Sequence, residues 1–232
     1  MNKLIIGALA FVVLAAGAWY LYQGGQMPTA QQIGQSNNRP GGGGGPGGAT
    51  LSAAEKAQCG YTATVTEGPY YVSGAPALTA GNLDYTNLSG NPLAVSGYVY
   101  EGLDNTKPVA NATIDIWQAD PKGSYHPNSN GAASKYTGQL ALRGTITTDA
   151  KGHYEFTTVY PGEYTGRARH IHIKVRAPGF NELTTQLIFA LEGDALSFDE
   201  DTVSQGLPNC ALLSANDTTP PTAATFDFRL EK

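Results

Sequence analysis

From residue 93 onward, apolar and polar positions alternate in short runs. LAVSGYVY (93–100), ATIDIWQA (112–119), RGTITTD (143–149), GHYEFTTV (152–159), HIHIKV (170–175), LTTQLIFA (183–190) and ATFDFRL (224–230) are separated by stretches containing Gly, Pro, Asn or Asp. A period of two sends successive side chains to opposite faces of a strand. Several short strands with turns between them predict an all-β protein, a β-sandwich. In the second run Ile114 and Ile116 share one face, against Asp115 and Trp117; in the last, Phe226, Phe228 and Leu230 share a face. Ala150-Lys151, followed by Gly152 with its freedom to take a positive φ, predicts a hairpin joining the 143–149 and 152–159 runs. No internal repeat and no long amphipathic helix interrupts the pattern. LSAAEKAQC (51–59) favours only a short helical turn, with Ser52 as cap and Glu55 three residues on.

Two stretches ahead of the strands break this alternation. After Lys3, residues 4–22 are apolar and uncharged, a length at the border between a signal-peptide core and a spanning helix of about 17–25 residues. Ala16-Gly17-Ala18 offers a small-residue cleavage site, whereas Trp19, Tyr20 and Tyr22 continue the run like an interfacial aromatic belt. The expectation is an uncleaved membrane anchor at 1–22 with the N-terminus inside and the domain exported, or a secreted or periplasmic protein if the segment is removed. Residues 23–50 are Gly-rich and hold almost no large apolar residue, so they predict a flexible tether. The β-sandwich is then expected over 51–232. In an exported chain the two cysteines, Cys59 and Cys210, predict a disulfide. Asn87, Asn111 and Asn216 begin glycosylation sequons, which matter only in a secretory eukaryote.

Composition narrows the function. Net charge is −5 and only 14% of residues are charged, with no basic block beyond Arg167 and Arg169. That leaves no concentrated positive surface for nucleic acid. Nucleophile elbow, phosphate loop, HExxH and dinucleotide fingerprint are all missing. The concentrated chemistry lies in YTGRARHIH (164–172). On a strand, His170, His172, Lys174 and Arg176 point one way and Ile171, Ile173 and Val175 the other, into a core. Histidines at i and i+2 stand roughly 6–7 Å apart at Cα, close enough for both rings to reach one metal at about 2 Å. The same pattern also describes the wet face of a half-buried strand. Tyr125 and Tyr164 each follow a strand end and a Gly-containing turn, at the rim of a sandwich. Phenolate is a hard donor that, with imidazole, suits ferric iron better than zinc or copper. A rim aromatic that packs its ring and wets its hydroxyl accounts for either tyrosine equally.

The ordered set TEGPYYVSGAP (66–76), IDIWQADPKGSY (114–125), LRGTITTDAKGHYEFTTVYPGEY (142–164), GRARHIHIKV (166–175) and LTTQLIF (183–189) resembles the intradiol ring-cleavage dioxygenases, the catechol, hydroxyquinol and protocatechuate enzymes of aromatic catabolism. The resemblance covers roughly residues 60–190. It implies a β-sandwich carrying one mononuclear non-haem Fe(III), with Tyr125 and Tyr164 as tyrosinate ligands and His170 and His172 as imidazole ligands. It further implies that Tyr164 also serves as a base, that Arg167 steadies developing negative charge, and that Gln186 hydrogen-bonds substrate or oxygen. Residues 67–85, with Tyr70, Tyr71 and Tyr85, would line the mouth of a pocket for a catechol-type substrate and O2. The product would be a muconate-type diacid.

This chain departs from the family in two places. An apolar segment and tether stand where cytosolic members carry a helical dimerisation segment, and Gly166 stands where protocatechuate enzymes place a tryptophan. The first argues against dimerisation of the cytosolic kind, the second against a protocatechuate enzyme, and the short, exported architecture resembles the secreted or membrane-anchored branch. Two other readings share the strand pattern: a non-catalytic transthyretin-like or adhesin-type β-sandwich module, and a zinc hydrolase using His170 and His172 with a carboxylate, Glu163 being nearest in sequence. His126, beside Tyr125, is a rival ligand.

Overall fold

The computed structural model describes residues 60–103, 105–127, 140–164, 166–189, 194, 196, 200–205, 207, 213–216, 218 and 220–232. The expected anchor, tether, helical turn at 51–59 and Cys59–Cys210 disulfide lie outside the described residues.

The described strands are β1 (Pro92–Glu101), β2 (Thr113–Gln118), β3 (Arg143–Thr147), β4 (His153–Val159), β5 (His170–Arg176), β6 (Leu183–Ile188), β7 (Ser214–Ala215), β8 (Ala223–Thr225) and β9 (Phe228–Leu230), with one 3-10 turn at Thr79–Gly81. They form two sheets. One runs β4-β1-β8-β7, with β9 also pairing to β1; the other runs β3-β2-β5-β6. Pro92, which has no N–H to donate, sits at the first position of β1, where the ladder tolerates it. The inner faces meet in one core. Ile114, Ile116, Ile171, Ile173, Val175 and Leu187 from one sheet pack with Leu93, Val95, Val99, Phe156 and Phe228 from the other. Each such side chain stabilises the fold by about 1.5–3 kcal/mol when fully buried. Truncating Ile173 to alanine would therefore remove roughly 2–5 kcal/mol.

Two expectations need correction. The 149–152 turn forms as read, with Gly152 at φ 74 and Asp149 Oδ1 accepting the N–H groups of Lys151 and His153. The strands on either side do not pair with each other, however. β3 lies on β2 and β4 lies on β1, so the turn carries the chain from one sheet to the other. There the apolar face of β4 can close the core from the opposite side. The single strand expected over 224–230 is broken into β8 and β9, both parallel to β1. At the break, Asp227 Oδ1 accepts the Tyr98 N–H at 3.0 Å, a side chain standing in for a ladder carbonyl. Phe226, Phe228 and Leu230 remain buried as the pattern required.

Antiparallel register places the site. Arg143 is opposite Trp117, Trp117 opposite His172, and His172 opposite Gln186, so four side chains from four strands form one row across the outer face of the smaller sheet. This face is not wet. His170, His172 and Lys174 are buried, because the segment before β1 lies over them. Tyr71 packs on Trp117 and donates to Asp115, Glu67 pairs with Lys174, and Thr66 accepts from Gln186.

Candidate active site

Two rim loops bring the tyrosines in. Residues 119–127 follow β2 and carry Tyr125, while residues 160–169 join β4 to β5 and carry Tyr164. Asp120 shapes the first loop. Its Oδ1 accepts from the N–H groups of Lys122 (2.8 Å) and Ser124 (3.0 Å), and its Oδ2 lies 2.9 Å from His126 Nε2. The two loops touch through glycines. Gly162 donates its N–H to Asp120 O at 2.9 Å. A Cβ on Gly162 would overlap Gly123 N and Pro121 O, and a Cβ on Gly123, at φ 80, would overlap Glu163 O. Glycine at both positions lets the loops lie backbone to backbone.

Arg143 supports the first loop from beneath. Its guanidinium, 1% exposed, donates to His126 O (2.9 Å) and Pro127 O (3.1 Å) and lies 5.9 Å from the Tyr125 ring centroid. Burial pulls this guanidinium down to about 10, with the Tyr125, Tyr85 and Asp115 oxygens opposing the shift.

The four residues singled out by the sequence converge. Tyr125 Oη is 2.9 Å from His172 Nε2 and 3.2 Å from His170 Nε2, and Tyr164 Oη is 3.1 Å from His170 Nε2. His170 Nδ1 lies 2.6 Å from Ala168 O. A carbonyl only accepts, so Nδ1 carries the proton and Nε2 turns its lone pair toward the phenols. Burial, reinforced by the Arg167 charge, lowers His170 to about 4. Burial, His170 and Arg167 hold His172 well below its ordinary value. Both imidazoles are therefore neutral at pH 7. Burial and the neighbouring phenol push Tyr125 well up, and burial raises Tyr164.

The donor set is two neutral nitrogens, already stripped of competing protons, and two phenols whose protons a strongly polarising cation would displace. Loss of two protons leaves two anionic oxygens, which suit a hard trivalent ion. The residues fit ferric iron. They fit a two-histidine, one-carboxylate zinc site poorly. Among the described residues no three His, Cys, Asp or Glu side chains group to hold a metal, and the Glu163 carboxylate lies 3.5 Å from Arg169 Nε. His126, turned to Asp120, is apart from the cluster.

Arg167 follows Tyr164 through a tight turn, its N–H donating to Tyr164 O at 3.0 Å. Its Nη2 donates to Gln186 Oε1 at 2.5 Å and its Nε to Asp201 Oδ2 at 3.0 Å. Gln186 also donates through Nε2 to Thr66 O at 3.0 Å. Both ends of that amide are thus engaged by the protein, and its visible work is to hold Arg167. Of the mouth tyrosines, Tyr70 stacks on Tyr125 (centroids 4.1 Å apart, planes 11° apart). Tyr71 lies over Trp117. Tyr85 reaches Leu140 O and Arg143 O instead of the cluster. Sequence reasoning missed Arg143, Trp117 and Asp201. The first two become visible once strand register is known, while Asp201 has no local signal at all.

Comparison with known proteins gives a consistent set of relatives. A family model described as Dioxygenase matches residues 66–232. The catechol 1,2-dioxygenase 2 of Acinetobacter lwoffii is 35% identical over 160 residues, covering 61% of this chain and 55% of its own. A chlorocatechol 1,2-dioxygenase of Pseudomonas sp. (strain P51) is 33% identical over 141 residues, 53% of each chain. The chain thus spans about half the length of these relatives. Among solved structures, the dioxygenase domain of a dioxygenase carbohydrate-binding protein fusion from the cellulolytic bacterium Streptomyces sp. SirexAA-E is 35% identical, with a TM-score of 0.59 over 74% of this chain and 98% of that one. An intradiol ring-cleavage dioxygenase from Tetranychus urticae, 22% identical, shares the fold with a TM-score of 0.64 over 75% of this chain and 95% of its own.

Proposed function

The chain belongs to the intradiol ring-cleavage dioxygenase family, and from that premise we propose that it opens catechol-type rings between the two hydroxyl-bearing carbons at a ferric ion held by Tyr125, Tyr164, His170 and His172. Both atoms of O2 enter the product, a muconate-type diacid, so the reaction balances without an external reductant. The observation that carries this reading is the convergence of two phenol oxygens on two imidazole nitrogens at 2.9–3.2 Å.

A ferric ion held by these four residues would supply Lewis acidity, drawing electron density from a catechol-type ring bound beside them. The protein's own groups do the rest. Tyr125, 1% exposed, is fixed by Tyr70 and by the loop that Arg143 braces, and stays in place. Tyr164 is only partly buried, and its oxygen, deprotonated when it serves as a ligand, would accept a proton from an incoming hydroxyl. Ala168 O keeps the His170 proton on Nδ1, so this imidazole takes no part in proton transfer. Arg167, held by Gln186 and Asp201, presents fixed positive charge beside Tyr164, where oxyanion charge develops.

The apolar segment at 1–22 and the tether at 23–50 would put this chemistry outside the cytoplasm, where a Cys59–Cys210 bridge would persist. Oxygen uptake with a panel of catechols, followed by the ultraviolet absorbance of the ring-opened diacid, tests the activity. Uptake matched mole for mole by diacid is expected. A protein that holds iron yet consumes no oxygen with any catechol would contradict it.

A further inference from the structure

Asp201 is a fully buried carboxylate in the segment after β6, and its four side-chain partners among the described residues are all donors. Oδ2 accepts from Arg167 Nε (3.0 Å) and from the Ala168 N–H (2.6 Å). Oδ1 accepts from the N–H groups of Val203 (2.8 Å) and Ser204 (3.0 Å). The residue whose N–H it grips, Ala168, also turns its own carbonyl, in the next peptide along, to His170 Nδ1. Thr202 Oγ1 donates to Gly166 O at 3.2 Å, clipping the same two segments together once more. A charged, 0% exposed side chain survives burial only when its oxygens are satisfied. Two of the donors that satisfy it here are Arg167 Nε and the N–H of Ala168, the residue whose carbonyl receives His170 Nδ1.

We infer that Asp201 is a positioning residue that couples Arg167 to His170, fixing the guanidinium through Nε and the imidazole through Ala168, whose N–H it holds and whose carbonyl holds Nδ1. Among the described residues, its side-chain hydrogen bonds reach none of the four cluster residues. Its effect runs through two groups that no neighbouring sequence links to it. The inference deepens the ring-cleavage reading and rests on it for the meaning of turnover, but not for the geometry itself.

The test uses the full chain. In iron-free protein, 15N-resolved NMR should find Arg167 Nε–H and His170 Nδ1–H exchanging slowly with solvent. In Asp201→Asn the amide turns its NH2 toward one donor pair, and both resonances should shift and exchange faster together. If only the Arg167 signal moves, or neither, the coupling is wrong. The second arm is turnover of the iron-loaded enzyme on catechol. Asp201→Asn should lower kcat about 10- to 100-fold with KM little changed, and should add a clearly smaller loss in an Arg167→Ala background, where only the arm through Ala168 to His170 remains. Equal losses in both backgrounds would mark a global structural effect and overturn the proposal. Where Asp201→Asn does not fold, exchange in the wild-type chain still decides, because an Arg167 Nε–H exchanging as fast as exposed arginines refutes the contact. A wild-type chain that shows the protected resonances but turns over no catechol refutes the activity and leaves the positioning role standing.

Discussion

Trp117 and His172 are direct cross-strand partners, and their rings lie nearly parallel, 4.8 Å apart at the centroids with planes 10° apart. The two histidines of the site are thus oriented by different means. His170 donates Nδ1–H to a backbone carbonyl. His172 Nδ1 is buried and finds no hydrogen-bond partner among the described residues, so the indole face sets its plane. Replacing Trp117 with alanine should weaken iron retention against a chelator about fivefold, the scale of an aromatic pair worth about 1 kcal/mol. It should also lower stability by about 3–5 kcal/mol through the cavity left behind. Trp117→Phe should recover most of the iron retention. Chelator competition and urea denaturation measure the two effects separately.

The close approach of the two tyrosine loops depends on Gly162. A methyl group there meets the backbone of Pro121 and Gly123, which cannot swing aside as a flexible side chain would. Gly162→Ala should cost about 1–3 kcal/mol in chemical denaturation. It should also move Tyr164 away from His170 and weaken tyrosinate-to-iron absorption, with strand content by circular dichroism unchanged.

Acid should destabilise the iron-free protein before the ordinary carboxylate range is reached. His170 is held at about 4 in the fold, mainly by burial, against roughly 6.5 in the unfolded chain. The unfolded state therefore binds the extra proton between those values, and stability falls as pH drops through that window. Between pH 7 and pH 5 this one residue should remove about 2 kcal/mol. His172, also displaced downward by burial, acts in the same direction. Urea midpoints of iron-free protein at the two pH values check this. In His170→Asn the dependence should shrink.

The inner sheet residues were legible from alternation alone. Ile114 and Ile116, and Ile171, Ile173 and Val175, are the core face they read as. What alternation could not show was whether the opposite face was wet. Trp117, His172 and Lys174 are buried because a segment distant in sequence, from Thr66 to Tyr71, crosses them, and no local pattern records a long-range cover. The 149–152 turn was visible in Asp149 and Gly152, but turn chemistry is the same whether a chain pairs back on itself or changes sheets. The four site residues stood out because their sequence context is specific. Arg143 did not, since an arginine opening a strand reads as solvent-facing until the pairing places it beneath Tyr125.

The most direct test of the central claim is the visible spectrum of the protein loaded with one ferric ion per chain. Four donors drawn from Tyr125, Tyr164, His170 and His172 predict a burgundy protein with an intense tyrosinate charge-transfer band, weakened and shifted in Tyr164→Phe and in Tyr125→Phe. Iron bound at one per chain without a visible band, or a band unaltered by both substitutions, would contradict the account.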